Sequence, residues 1–101
     1  MASKFELGYT RFFEKQWLGF DENTRQLIED KLKLIKSNPY RYETLEGYTR
    51  VRKVKISIKG KYQRLIYALH MPEVNQVFIL GVFSRDKGYE EFERKFSQLK
   101  K

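Results

Sequence analysis

Hydrophobic and polar positions change their periodicity along the chain, and each stretch predicts one element of secondary structure. Polar and apolar residues alternate over residues 4–9, a pattern typical of a short strand. Thr10 then follows as a candidate N-cap, because its hydroxyl can accept a hydrogen bond from an N–H group of the first helical turn. The aromatic residues after it favour a short helix that ends near Gly19.

A longer helix is predicted over residues 22–36, with Asp21 as its N-cap. Its apolar residues recur on one helical face, which indicates that this face packs against a core. These residues are Leu27, Ile28, Leu32 and Ile35. Pro39 ends the helix, because the residue before a proline disfavours the helical conformation.

Three apolar stretches predict strands at 50–58, 63–71 and 76–83. Gly60 marks a turn between the first two. The third stretch is almost continuously apolar, which indicates a central strand of the sheet. Aromatic residues at helical spacing then predict a final helix over residues 88–100.

The predicted elements follow one another in the order β-α-α-β-β-β-α, which indicates a single α+β domain over residues 1–101. We expect a mostly antiparallel four-stranded sheet with the helices packed on one of its faces. A chain of 101 residues with 41% hydrophobic and 16% aromatic residues can bury one substantial core.

The chain carries a formal net charge of +8, and nearly all of this excess lies in one segment. Residues 47–72 contain no acidic residue, and the rest of the chain has 14 basic against 13 acidic residues. The basic residues of the segment are Arg50, Arg52, Lys53, Lys55, Lys59, Lys61 and Arg64. Such a concentrated charge fits a polyanion, of which nucleic acid is the commonest. A solubilising surface and a docking site for an acidic protein are open alternatives.

Strand alternation divides the predicted strand at 50–58 into two faces. The apolar residues at 54, 56 and 58 share one face, whereas Lys53 and Lys55 share the other. Arg64 on the next strand lies near enough to join the two lysines if the turn is at Gly60. Three converging cations are unfavourable unless an anion binds between them. A solvated strand face is the plainer interpretation of the same pattern.

The residue types that are missing limit the possible chemistry. The absence of cysteine excludes a disulfide framework and is typical of the reducing cytoplasm, where we expect the protein. A single histidine excludes a ribonuclease scheme that uses two. We expect no metal, no cofactor and no membrane association, so that catalysis would use lysine, arginine and tyrosine. RNA suits such residues because its own 2′-OH can act as the nucleophile, and DNA lacks this group.

Several motifs occur in register with the predicted strands. They are Leu-Glu-Gly at 45–47, Arg-Lys-Val-Lys-Ile at 52–56, Tyr-Gln-Arg-Leu-Ile-Tyr at 62–67, and Ile-Leu-Gly-Val-Phe-Ser-Arg at 79–85 followed by Tyr89. Their order resembles the RelE/ParE toxin superfamily, and within it the RelE-type mRNA interferases. The resemblance implies an endoribonuclease that enters the ribosomal A site and cleaves mRNA without a metal, leaving a 2′,3′-cyclic phosphate. It also implies a RelB-like antitoxin as partner, in a toxin–antitoxin hetero-oligomer.

The same resemblance implies roles for individual residues. Lys53 and Lys55 match the paired lysines of the family, with Lys55 as the general base. Arg64 matches the arginine that stabilises the phosphate in the transition state. Arg85 matches the general acid, and Tyr89 matches the tyrosine that orients the substrate or stacks on it.

Three further cations, Arg50, Lys59 and Lys61, are predicted to attract RNA phosphates, and such contacts weaken with salt. Two other functions are open at this point. ParE-type toxins of the same superfamily inhibit DNA gyrase by binding, although they generally lack the Lys-x-Lys motif with its arginine and tyrosine. The second open function is a catalytically silent module that binds RNA or the ribosome through the same sheet.

Overall fold

The computed structural model describes residues 5–71, 75–84 and 88–96. Within these ranges the predicted order of elements is confirmed. The elements are β1 (Glu6–Tyr9), α1 (Arg11–Gly19), α2 (Glu22–Ser37), β2 (Val51–Ile58), β3 (Lys61–Met71), β4 (Gln76–Ser84) and α3 (Gly88–Phe96). The last four residues of the predicted final helix lie outside the described residues. None of the helices in these ranges is long and apolar enough to cross a membrane.

Both predicted helix caps are present. The Thr10 hydroxyl accepts a hydrogen bond from the Phe13 N–H group at 3.1 Å, and an Asp21 carboxylate oxygen accepts one from Thr24 N–H at 3.0 Å. The Thr24 hydrogen bonds hold the pKa of the Asp21 carboxyl below its usual range. Each cap satisfies a donor that the start of a helix otherwise leaves without a partner.

The four strands form one sheet in the order β1-β4-β3-β2. Strand β1 pairs in parallel with β4, and the other two pairings are antiparallel. The sheet is therefore mostly antiparallel, with the apolar strand β4 inside it, as the sequence predicts. A two-residue turn joins β2 to β3, and both of its residues have positive φ, Lys59 at 52° and Gly60 at 80°. Glycine adopts this conformation without steric cost, which fixes the turn at this point.

The two faces of the sheet carry separate cores. Helix α2 packs Ile28 and Ile35 against one face. Helix α3 packs Phe92 against the other face, in a second buried cluster that includes Phe83 and Leu45. The expectation that all helices lie on one face is therefore wrong for α3. The physical reason is that β4 is apolar on both sides, and a strand of this kind needs cover on both faces.

Helix α1 lies along the edge of β4 beyond the end of β1. The Gln16 side-chain amide donates to the Val82 carbonyl at 2.7 Å and accepts from the Val82 N–H group at 2.8 Å, so that it replaces a neighbouring strand. Phe13 enters the core under α2, and Phe12 packs beside the core under α3. A Cβ atom at Gly81 would lie 2.8 Å from the Phe12 ring, so only glycine fits at this contact.

Candidate active site

A cleft of about 540 Å³ lies along the β2–β3 hairpin. Among the described residues, five cationic side chains line it, together with the carboxylate of Glu43. The cations are Lys31, Arg41, Lys53, Lys55 and Arg64. We call this feature the basic cleft. Its positive charge attracts an anionic ligand.

The hairpin register places Lys55 directly opposite Arg64. The Val51 carbonyl and the Lys53 N–H group bond to the preceding loop, so alternate β2 residues, Lys55 among them, turn their backbone groups away from β3. Lys55 and Arg64 therefore form a non-hydrogen-bonded pair, in which cross-strand side chains lie closest together. Lys53 points to the same face two residues earlier. The structure thus brings together the three cations that strand alternation groups.

Like charges directly opposite each other destabilise a sheet. Within the described ranges, no carboxylate lies at ion-pair distance from Lys53 or Lys55. Repulsion between Lys55 and Arg64 opposes folding in the free protein. A bound anion such as a phosphodiester would relieve this repulsion and would gain two or three charge-assisted contacts.

The far wall of the basic cleft belongs to the loop between α2 and β2. The Arg52 guanidinium donates hydrogen bonds to the carbonyl oxygens of Tyr40 and Tyr42. The buried Tyr67 hydroxyl donates to the Pro39 carbonyl. These bonds hold the loop against β2 and β3, which brings Arg41 to the cleft. Arg52 thus positions the wall and is itself absent from the lining.

Tyr62 also lines the basic cleft. Its side chain is 53% exposed, and the Lys55 ammonium lies 4.3 Å from the centre of its ring. The two residues are diagonal neighbours across the hairpin, since Tyr62 lies opposite Ser57, and long side chains reach each other at this spacing. Tyr62 belongs to the motif at 62–67, but the pattern of cations in the sequence does not predict it as part of the site.

Lys31 and Arg41 were also missed from the sequence. Lys31 lies on α2 and Arg41 in the loop that follows it, so neither belongs to the strand pattern that predicted the other cations. The excess of basic residues in the chain was the one signal available for them.

The three predicted phosphate contacts lie outside the lining of the basic cleft. Arg50 is exposed just before β2. Lys59 lies in the hairpin turn, with its ammonium 3.6 Å from an Asp21 carboxylate oxygen. Lys61 falls on the opposite face of β3 from Arg64, because the two are an odd number of residues apart. Their attraction of RNA stays a prediction.

The other two predicted catalytic residues belong to the end of the chain. Arg85 lies outside the described residues. Tyr89 is in the first turn of α3, and its side chain is not among those described. Helix α3 itself lies on the sheet face of the basic cleft, because Arg64 is level with Phe83 and the Phe83 and Phe92 rings are 5.3 Å apart.

Comparison with known proteins gives a clear result for the fold. No protein-family model and no curated protein matches the sequence. Among solved structures, a double mutant of the E. coli toxin RelE in the free state is similar, with a TM-score of 0.71 and 24% identity over 95% of this chain and 99% of that one.

Two complexes are similar as well. One chain of the intact E. coli RelBE toxin–antitoxin complex has a TM-score of 0.67 and 21% identity over 81% of this chain and 98% of its own. One chain of the archaeal RelE–RelB complex from Pyrococcus horikoshii has a TM-score of 0.61 and 12% identity over 83% and 98%. The chain has the fold of the RelE toxins.

Proposed function

We propose that this protein is a RelE-type toxin, an endoribonuclease that cleaves mRNA in the ribosomal A site without a metal. The observation that carries the proposal is the pair formed by Lys55 and Arg64, placed opposite each other in the basic cleft of a RelE fold. The RelE/ParE motifs of the sequence supply the substrate class.

The reaction uses the substrate's own nucleophile. The Lys55 side chain acts as the general base that takes the proton of a ribose 2′-OH, and the oxygen attacks the adjacent phosphorus. The bond from phosphorus to the 5′-oxygen of the next nucleotide breaks, and that oxygen takes a proton from Arg85. The products are a 2′,3′-cyclic phosphate and a 5′-hydroxyl end.

Arg64 and Lys53 serve a different purpose in this scheme. Negative charge increases on the phosphoryl oxygens as the five-coordinate transition state forms. Cations already fixed beside those oxygens bind the transition state more strongly than the substrate, and this difference accelerates the reaction. Tyr89 orients the substrate. The same residues could not cut DNA this way, because DNA has no 2′-OH.

An antitoxin is the expected protein partner, as the RelBE and RelE–RelB complexes with this fold support. We propose that an acidic segment of a RelB-like protein covers Lys53, Lys55 and Arg64, or that it displaces α3 from the same sheet face. Replacing these three cations by glutamate should abolish the complex in a pull-down experiment. A complex that survives both this change and high salt would contradict the placement.

Primer extension on an mRNA in a purified translation system tests the catalytic proposal. The wild type should cut the message only when ribosomes are present. Lys55→Ala and Arg85→Ala should each lower the cleavage rate by about 10²- to 10⁴-fold, the usual contribution of a general base or acid. Lys33→Ala is the matched control, since it removes an exposed lysine from α2, away from the basic cleft, and should leave the rate unchanged.

Two results would contradict the proposal. Equal rates in the wild type and both variants would remove Lys55 and Arg85 from the mechanism. An intact message with inhibition of supercoiling in a purified gyrase assay would support a ParE-type function instead.

A further inference from the structure

We propose that the Tyr62 ring is a nucleobase-stacking subsite of the basic cleft, which takes one unpaired base of a single-stranded RNA while the cations of the cleft attract the neighbouring phosphate. The inference rests on the proposed function for the choice of RNA as ligand. The stacking surface itself follows from where the ring lies.

The position of Tyr62 contrasts with that of Tyr67 on the same strand. Tyr67 is fully buried in the core under α2, and its hydroxyl donates to the Pro39 carbonyl. Tyr62 is 53% exposed and lines the basic cleft. A half-exposed aromatic ring forgoes much of the free energy that burial would provide. The ring is therefore available to a ligand that enters the cleft.

The chemistry around the ring selects the kind of ligand. Aromatic rings placed beside cations in a groove are the usual device for binding single-stranded nucleic acid, since bases stack on the rings and phosphates meet the cations. Here the ring is flanked by Lys55 and Arg64 on the same face of the hairpin. An anion without a ring system, such as polyphosphate, would use the cations and leave Tyr62 unused.

The contact between Lys55 and Tyr62 links the two parts of the subsite. In the free protein the Lys55 ammonium lies 4.3 Å from the centre of the Tyr62 ring, a cation–π contact that keeps the ammonium over the ring. A nucleobase that stacks on the ring takes this place. The Lys55 side chain is then released from the ring and can turn toward the ribose of the same strand, where the proposed reaction needs a general base.

Tyr40 provides a matched control. Its side chain is also 53% exposed, and the Arg52 guanidinium lies 5.4 Å from the centre of its ring. Tyr40 does not line the basic cleft. The two tyrosines thus share exposure and a cation over the ring, and they differ in the presence of the cleft.

The test compares the affinity of two labelled strands of equal length, a single-stranded RNA and an abasic ribose-phosphate strand, without ribosomes. Tyr62→Leu should weaken RNA binding by about 5- to 150-fold, the usual effect of removing one stacking side chain. It should leave binding of the abasic strand unchanged, which also shows that the variant is folded. Tyr62→Phe and Tyr40→Leu should bind both strands as the wild type does.

Three results would overturn the proposal. The first is wild-type affinity of Tyr62→Leu for RNA, and the second is an equal loss with the abasic strand, which would mean that Tyr62 only positions Lys55. The third is a wild type that binds RNA no better than the abasic strand. Stacking that persists in a protein unable to cut mRNA on ribosomes would refute the proposed function and leave the subsite standing.

Discussion

The two faces of the β2–β3 hairpin carry opposite kinds of side chain, although the same two strands form both. On one face Val54, Ile56 and Ile58 are 1%, 3% and 8% exposed and pack in the core under α2. On the other face Lys55 lies directly opposite Arg64 in the basic cleft. The first face stabilises the fold by burying apolar surface, whereas the second places like charges opposite each other and adds no burial of this kind.

This difference separates stability from function within one hairpin. A register slip of one residue would exchange the two faces, so burial of the apolar face also fixes where the cations point. The core under α2 therefore positions the candidate site without contributing a catalytic group. Substitutions on the first face should change the free energy of unfolding, and substitutions on the second should change the binding and cleavage of RNA.

The largest effect on stability is expected from Ile56→Ala. The side chain is 3% exposed, and its removal leaves a cavity in the core under α2, which typically costs about 2–5 kcal/mol. Urea denaturation followed by circular dichroism measures the change. The variant should still cut mRNA at the wild-type rate per folded molecule. A change below about 0.5 kcal/mol would mean that the apolar face does not stabilise the hairpin.

A smaller effect is expected from Tyr67→Phe, which removes the hydroxyl that donates to the buried Pro39 carbonyl. Leaving a buried acceptor without its donor typically lowers the free energy of unfolding by about 1–3 kcal/mol. The matched control is Tyr62→Phe on the other face of β3. It should change the free energy of unfolding by less than about 0.5 kcal/mol, as exposed positions usually do.

The difference in stability between the wild type and Tyr67→Phe should also depend on pH. Burial raises the pKa of the Tyr67 phenol well above its ordinary value near 10, so the folded protein holds this proton more tightly than the unfolded chain. Its contribution to stability is complete below about pH 10 and declines as the pH rises above that value. In urea denaturation, the wild type should therefore exceed Tyr67→Phe in free energy of unfolding by a smaller margin above pH 10 than below it. If this difference in free energy of unfolding stayed the same up to pH 11, the result would contradict a raised pKa for Tyr67.

The same comparison shows how far the sequence alone could lead. Alternation along β2 predicted that Lys53 and Lys55 point to the same face of the sheet. Gly60 in the turn predicted that Arg64 lies close to them. These predictions depend only on the local geometry of a strand and a turn and on the pattern of apolar residues, all of which can be inferred from the sequence. The caps at Thr10 and Asp21 succeeded for the same reason, since a side-chain acceptor at the start of a helix acts within one turn.

The predictions that failed or were missing depend on contacts between distant segments. The apolar face of a helix shows that it packs, and it does not show on which side of the sheet, so α3 was placed on the wrong face. Arg41 reaches the basic cleft because Arg52 and Tyr67 hold the loop beside it. Tyr62 and Tyr67 have the same side chain, and only the surrounding structure distinguishes the exposed ring from the buried one.

The smallest effect on stability is expected from Lys55→Gln on the cationic face. The substitution removes the cation–π contact with Tyr62, which favours folding, and the repulsion from Arg64, which opposes it. The two terms are each below about 1 kcal/mol and opposite in sign, so the free energy of unfolding should change by less than about 0.5 kcal/mol. Lys33→Gln, at an exposed position of α2, controls for loss of one positive charge. A loss above about 1 kcal/mol would mean that Lys55 holds the hairpin together, and reduced cleavage by Lys55 variants would then report folding as well as chemistry.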